Sequence, residues 1–236
     1  MSSLVKAAVL LVSAATFFHG LKPPTPAVEK ERHVYKGQPF EYLVHAIAYA
    51  SRAAICAAFL GHVYVMLSLD YFPAKRAELL PVACPNHSVP LATLAEITPA
   101  FVVGAALILA GGYLRLWCYR TLGKYFTFQV TILEDHQLVT GGPYALVRHP
   151  SYTGACMMIL GATIMLFAGD GFVVACRVQD TPAVWLTRAW RVLAPYTVFG
   201  LVRRSWVEDA QLKKNFGVAW ESYRQSVPYL FVPYVL

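Results

Sequence analysis

Long apolar runs separated by short polar and basic stretches limit this chain more than any other feature. Five runs are candidates for crossing a bilayer: 4–20, 42–69, 97–114, 151–169 and 184–202. A spanning helix needs roughly 20 predominantly apolar residues, about 17 at the short end. The runs at 97–114 and 151–169 carry no charge, whereas Lys6 interrupts the first and Arg52 the second. The run at 184–202 is the weakest, with Arg188 and Arg191 near its start. Hydrophobic residues make up 57% of the chain and charged ones only 14%, against about a quarter charged in a soluble domain. The expectation is an all-α integral membrane protein of about five transmembrane helices, one domain over 1–236. Residues 1–119 would hold three spans, and residues 120–236 a helical hairpin and a cytosolic C-terminal helix. The first run also fits a cleavable signal peptide. Without a clear small-x-small cleavage site, it reads as a retained helix.

The net charge of +7 raises nucleic acid as a partner, but the basic residues lie between apolar runs rather than along one stripe. Beside a membrane the same excess marks the cytosolic side. Loops 22–41 and 115–150 and the tail after 202 carry thirteen Lys and Arg, against three in loops 70–96 and 169–183. That alternation predicts an outside amino terminus, with loop 120–150 and the tail sharing the cytosolic face. The five cysteines, 56, 84, 118, 156 and 176, form no CxxC pair and no zinc spacing, so no redox or metal role is expected of them. His45, Arg52 and His62 lie within an apolar run and are expected to face a cavity or to snorkel.

Polar and aromatic residues concentrate in 125–154 and 203–233. Gly141-Gly142-Pro143 predicts a turn. His149-Pro150 predicts a bend that begins the fourth span, since proline suits a first helical position. Free backbone N–H groups at that helix start would favour an anion. In the second stretch a helix leaving the membrane is expected to stop near Asn215-Phe216-Gly217. Arg204 and Glu208 are four apart and share a face there, which predicts either an i,i+4 ion pair or functional groups. No G-x-G-x-x-G follows a strand, so a cofactor would be held by a polar pocket at helix ends. Arg204 suits a carboxylate through its planar fork, and Glu208 suits hydroxyls or cationic groups.

The phrase HQLVTGGPYALVRHPSYTG at 136–154, followed by a hydrophobic hairpin, Glu208, Phe216-Gly217, Tyr223 and Val227-Pro228, resembles the isoprenylcysteine carboxyl methyltransferases. The resemblance covers about 129–228; the first 120 residues match only in hydropathy. It implies S-adenosylmethionine as cofactor, surrounded by Gln129, His136, Gln137, Leu138, Val139, Tyr144, His149, Pro150, Ser151, Tyr152 and Glu208. It implies that Arg204 faces the substrate carboxylate. It further implies an endoplasmic reticulum membrane; with the charge alternation above, the expected pocket faces the cytosol and is formed by the 120–150 loop and the C-terminal helix, and no metal is expected. The partners implied are prenylated protein C-termini, of small GTPase or lipopeptide type, in membrane lipid. Methylating an already ionised carboxylate needs no general base, so His149 is not assigned as one. Three alternatives stand beside this reading: a phosphatidylethanolamine-type N-methyltransferase, a sterol-reductase relative, and a non-catalytic membrane scaffold.

Overall fold

The computed structural model describes residues 2–22, 39–72, 84–86, 90–127, 137–169 and 171–235. Every regular element among them is helical: α1 (Ser2–Gly20), α2 (Pro39–Tyr71), α3 (Leu91–Ala95), α4 (Pro99–Leu122), α5 (Pro150–Phe167), α6 (Phe172–Ala175), α7 (Val184–Phe216) and α8 (Val218–Ser226). Four segments are long and apolar enough to cross a membrane: Ser2–Gly20, Phe40–Tyr71, Ala92–Tyr125 and Pro150–Ala175. Their outward faces are apolar: Leu60, Val102 and Leu160 are each more than half exposed. In water such faces would be costly; in lipid they are the expected exterior.

The first four apolar runs fall on α1, α2, α4 and α5. The fifth, at 184–202, is not among those four segments, and it differs from expectation in not ending before the polar helix that follows. One 33-residue helix, α7, carries both, with Pro195 inside it. The helix tolerates its early cations because Arg188 sits 5.0 Å from the Trp185 ring and Arg191 5.4 Å from that of Phe167.

The chain divides into two compact units. The first comprises Met1–His19, Ala50–Ala110 and Met157–Leu193. Its intramembrane polar groups are engaged locally. Lys6 donates to the Glu96 carbonyl at 2.6 Å, and Ser3 bonds Asp70. Arg52 lies 4.0 Å from the Phe18 ring. His62 meets the Leu94 carbonyl at 3.1 Å and stacks on Phe172. The polar turn expected near 170–182 contains α6 and a 3₁₀ turn at Val178–Asp180, packed into a cluster with Val65, Leu69 and Leu94. Cys84 and Cys176 form a disulfide within this cluster. That corrects the reading of all five cysteines as carrying no redox argument; spacing could not reveal a pair 92 residues apart.

The second unit comprises Gly20–Tyr49, Gly111–Cys156 and Ala194–Leu236. Here α4 and α5 approach closely at Gly154, where an added Cβ would meet the Gly111 carbonyl oxygen at 2.7 Å. Beside it the buried Arg115 donates to the Gly20 carbonyl, to Ser151 O at 2.9 Å and to the Tyr119 hydroxyl at 2.6 Å. This arginine closes the end of α1 onto the start of α5. Gly217, at φ +51°, lets α8 fold back after α7, a backbone state costly for other residues. Trp220, Tyr223 and Val227 then pack against Leu138, Leu212 and Phe216.

Candidate active site

The predicted site residues gather in the second unit, around the start of α5. The expected glycine-proline turn is a 3₁₀ turn at Gly142–Ala145 that buries Pro143 and Tyr144. Pro150 then opens α5, as its fixed φ and missing N–H favour. The C-terminal tail straps this bend. Arg148 N–H donates to Tyr229 O and His149 N–H to Leu230 O, both at 2.9 Å, and the Thr153 hydroxyl donates to Phe231 O at 2.8 Å. The tail carbonyls thus take up the amides of Arg148 and His149 that precede the helix, and within its first turn the Tyr152 and Thr153 amides donate to His149 O at 3.0 and 3.3 Å.

Side chains supply the electrostatics instead. The His149 ring is buried, with Nε2 3.0 Å from Asp209 Oδ1 and Nδ1 3.6 Å from Glu208 Oε2. It stacks on Tyr152, the planes 6° apart. The Tyr152 hydroxyl donates to Glu208 Oε2 at 2.7 Å. Arg148 reaches Asp209 at 3.1 Å and the carbonyls of Val227 and Pro228 at 2.9 and 2.7 Å. Arg204 does not close the i,i+4 pair considered above. Its Nη1 lies 3.4 Å from Glu41 Oε1 near the start of α2, both side chains almost wholly buried. Its guanidinium carbon is 5.8 Å from the Tyr152 ring.

Burial opposes the charge on His149, but hydrogen bonds and charges from Asp209 and Glu208 outweigh it and hold the imidazole up at about 9. Burial likewise disfavours the Glu208 carboxylate. The hydrogen bond and charge of His149, the charge of Arg204 and the Tyr152 hydroxyl outweigh that and hold it down at about 2. With His149 protonated, three cations (Arg148, His149, Arg204) meet three carboxylates (Glu41, Glu208, Asp209). The cluster is neutral by itself.

The adjoining cleft is lined by Leu138, Val139, Tyr144, His149, Ser151, Tyr152 and Glu208, seven of the predicted residues. Pro150 is buried and orders the helix start without lining it, and Gln137 is exposed outside the lining. Arg204 also lies outside the lining set, paired with Glu41 and beside the Tyr152 ring. Gln129 and His136 lie outside the described residues. Reasoning from sequence missed Asp209 and Glu41 as partners. The adjacent Glu-Asp pair at 208–209 signalled the first; nothing in the sequence around Glu41 signalled the second. An apolar cavity of about 320 Å³ in the first unit, bordered by Ile55, Phe172 and Trp190, contains none of the predicted residues.

Residues 103–192 match the model of the Isoprenylcysteine carboxyl methyltransferase (ICMT) family, a segment that stops before Arg204 and Glu208. Protein-S-isoprenylcysteine O-methyltransferase B of Arabidopsis thaliana is 34% identical over 130 residues, 53% of this chain and 55% of that protein. The human Protein-S-isoprenylcysteine O-methyltransferase is 30% identical over 190 residues, 80% of this chain and 58% of that protein. That of Schizosaccharomyces pombe is 32% identical over 120 residues, 50% of this chain and 43% of that protein. The chain thus spans about half the length of the curated relatives it matches. No solved structure matches it. The family that residues 136–154 resemble is the family whose model matches, over residues 103–192 of this chain.

Proposed function

We propose that this protein transfers a methyl group from S-adenosylmethionine to the C-terminal carboxylate of a prenylated cysteine in processed protein ends. The observation that carries the proposal is the chain of contacts Glu41–Arg204–Tyr152–Glu208–His149–Asp209 beside an aromatic and aliphatic cleft. The cleft suits a cationic donor because an ionised Glu208, 36% exposed, borders walls formed by Leu138, Val139 and Tyr144. Those residues with His149, Ser151 and Tyr152 would hold the donor. Gln129, His136, Gln137 and Pro150 enter this set through the family resemblance. The donor, when bound, supplies an electrophilic methyl group.

Arg204 would bind the acceptor's carboxylate through its fork. His149, already protonated and flanked by two carboxylates, is in the wrong state to act as a base. Its role is to fix Glu208 and Tyr152. Catalysis rests on orientation and on excluding water around opposite charges. The names of the relatives favour a prenylcysteine acceptor over a phospholipid amine.

Five crossings, with the amino terminus outside and the cleft facing the cytosol from the endoplasmic reticulum membrane, complete the proposal. The Cys84–Cys176 disulfide supports this orientation: it joins the two loops poor in Lys and Arg, and disulfides persist on the oxidising side. The test is Arg204→Lys, which keeps the charge and removes the bidentate fork. Methylation of a farnesylcysteine acceptor should fall about a hundredfold through the acceptor's KM, with donor affinity unchanged. An unaltered acceptor KM removes Arg204 from this role.

A further inference from the structure

Glu41 has no place in the family resemblance, yet it is 2% exposed and carries the carboxylate that meets Arg204. Arg204 is 3% exposed. A guanidinium buried to that degree is tolerated only while a counter-charge faces it. The proposed reaction destroys one such counter-charge. The acceptor's carboxylate oxygen forms the new O–CH₃ bond, the S–CH₃ bond breaks with its electron pair returning to sulfur, and no proton moves. A carboxylate and a sulfonium become a neutral ester and a neutral thioether. Once the ester has formed, Glu41 is the carboxylate paired directly with the buried Arg204, with Glu208 acting through its charge alone.

We infer that Glu41 is a positioning residue that competes with the acceptor's carboxylate for Arg204 and reclaims the guanidinium when the ester forms, setting acid-over-ester selectivity. The inference rests on the acceptor assignment above and extends it to product release. Three features support it. Glu41 comes from the start of α2, whereas Arg204 and Glu208 lie on α7, so the pair is not an incidental neighbour contact along one helix. The 3.4 Å separation is longer than a tight charge-assisted bond of about 2.7–2.9 Å. His45, one turn further along α2, lies within Coulombic reach of the same guanidinium, and the electrostatic surroundings of Arg204 are thus shared between α2 and α7.

The experiment measures binding of N-acetyl-S-farnesylcysteine and of its methyl ester to the full chain in detergent, without donor, alongside steady-state kinetics. In Glu41→Gln both ligands should bind more tightly, the acid by about tenfold. Acceptor KM and kcat should fall together, because the ester leaves slowly and inhibits more strongly. Glu41→Asp, which keeps the charge on a shorter arm, should restore kcat to the native value. A purely structural pair predicts weaker binding of both ligands and no rescue by Asp, and that result overturns the inference. Should Glu41→Gln fail to fold, Glu41→Asp still decides: an acid-to-ester affinity ratio within twofold of native, with kcat reduced, rejects the competition. A native protein that methylates no prenylcysteine rejects the acceptor assignment itself. Normal native turnover with unchanged ligand affinities in Glu41→Gln rejects only the role of Glu41.

Discussion

Tyr152 and Glu208, 56 residues apart, are joined by a 2.7 Å hydrogen bond from the phenol to the carboxylate. The bond ties the first turn of α5 to α7 and orients a carboxylate at the cleft edge. Tyr152→Phe removes the donor while keeping the ring that stacks on His149. A hydrogen bond to a charged group contributes about 1.5–3 kcal/mol, and Glu208 is partly solvated. Donor affinity measured by calorimetry should therefore drop about tenfold with little change in thermal stability.

Glu208→Gln removes the charge rather than the bond. It should weaken donor binding by more than Tyr152→Phe does, by roughly a hundredfold. Acceptor binding without donor should stay within about twofold of native. Equal losses for both ligands would place Glu208 in general structural support.

The pH dependence follows from two opposite shifts. His149 is raised from its ordinary 6.5 to about 9, so its contribution is complete below 6.5 and is lost as pH rises through about 9. Glu208 is lowered from 4.5 to about 2, so its contribution is complete above 4.5 and is lost as pH falls through about 2. Thermal stability should therefore plateau between about pH 4.5 and 6.5 and decline toward 9. His149→Gln should flatten the alkaline decline; a decline of the same size in that variant contradicts the assignment.

Gly154→Ala tests the contact between α4 and α5. Its Cβ would sit 2.7 Å from the Gly111 carbonyl oxygen and 2.8 Å from Arg115 Cγ. Overpacking of this kind costs about 1–3 kcal/mol. The substitution should lower the melting temperature by several degrees and displace Arg115 from Ser151, reducing donor affinity as well.

Cys84 and Cys176 should resist a membrane-impermeant maleimide in intact vesicles and after detergent solubilisation, and react only after reduction. Cys84→Ser should cost about 2–4 kcal/mol without changing donor affinity. Free reaction of both cysteines before reduction would contradict the disulfide.

The residues that were legible in the sequence are those whose partners lie nearby in the chain or whose environment is lipid. Four helices follow from run length alone, and the turn at Gly142, the helix start at Pro150 and the stop at Phe216 follow from local backbone chemistry. The cleft residues Leu138, Val139, Tyr144, His149, Ser151, Tyr152 and Glu208 were legible through the family phrase. What was hidden depends on contacts between distant segments. Glu41 belongs to a charged stretch with no pattern, and its partner lies on another helix. Cys84 and Cys176 had no spacing to announce them. The composition changes at Arg203, yet one helix runs through that change from Val184 to Phe216, because backbone hydrogen bonding does not depend on whether the side chains are apolar or polar.

The central claim is that this cleft delivers a methyl group to a prenylcysteine carboxylate. A labelled-methyl assay on purified membranes, offering S-farnesylcysteine and phosphatidylethanolamine side by side, tests it most directly. The expected result is base-labile label on the farnesylcysteine, reduced about a hundredfold in Arg204→Lys at acceptor concentrations below KM, and none above background on the phospholipid. Label on the phospholipid alone, or on neither acceptor while the donor binds, contradicts it.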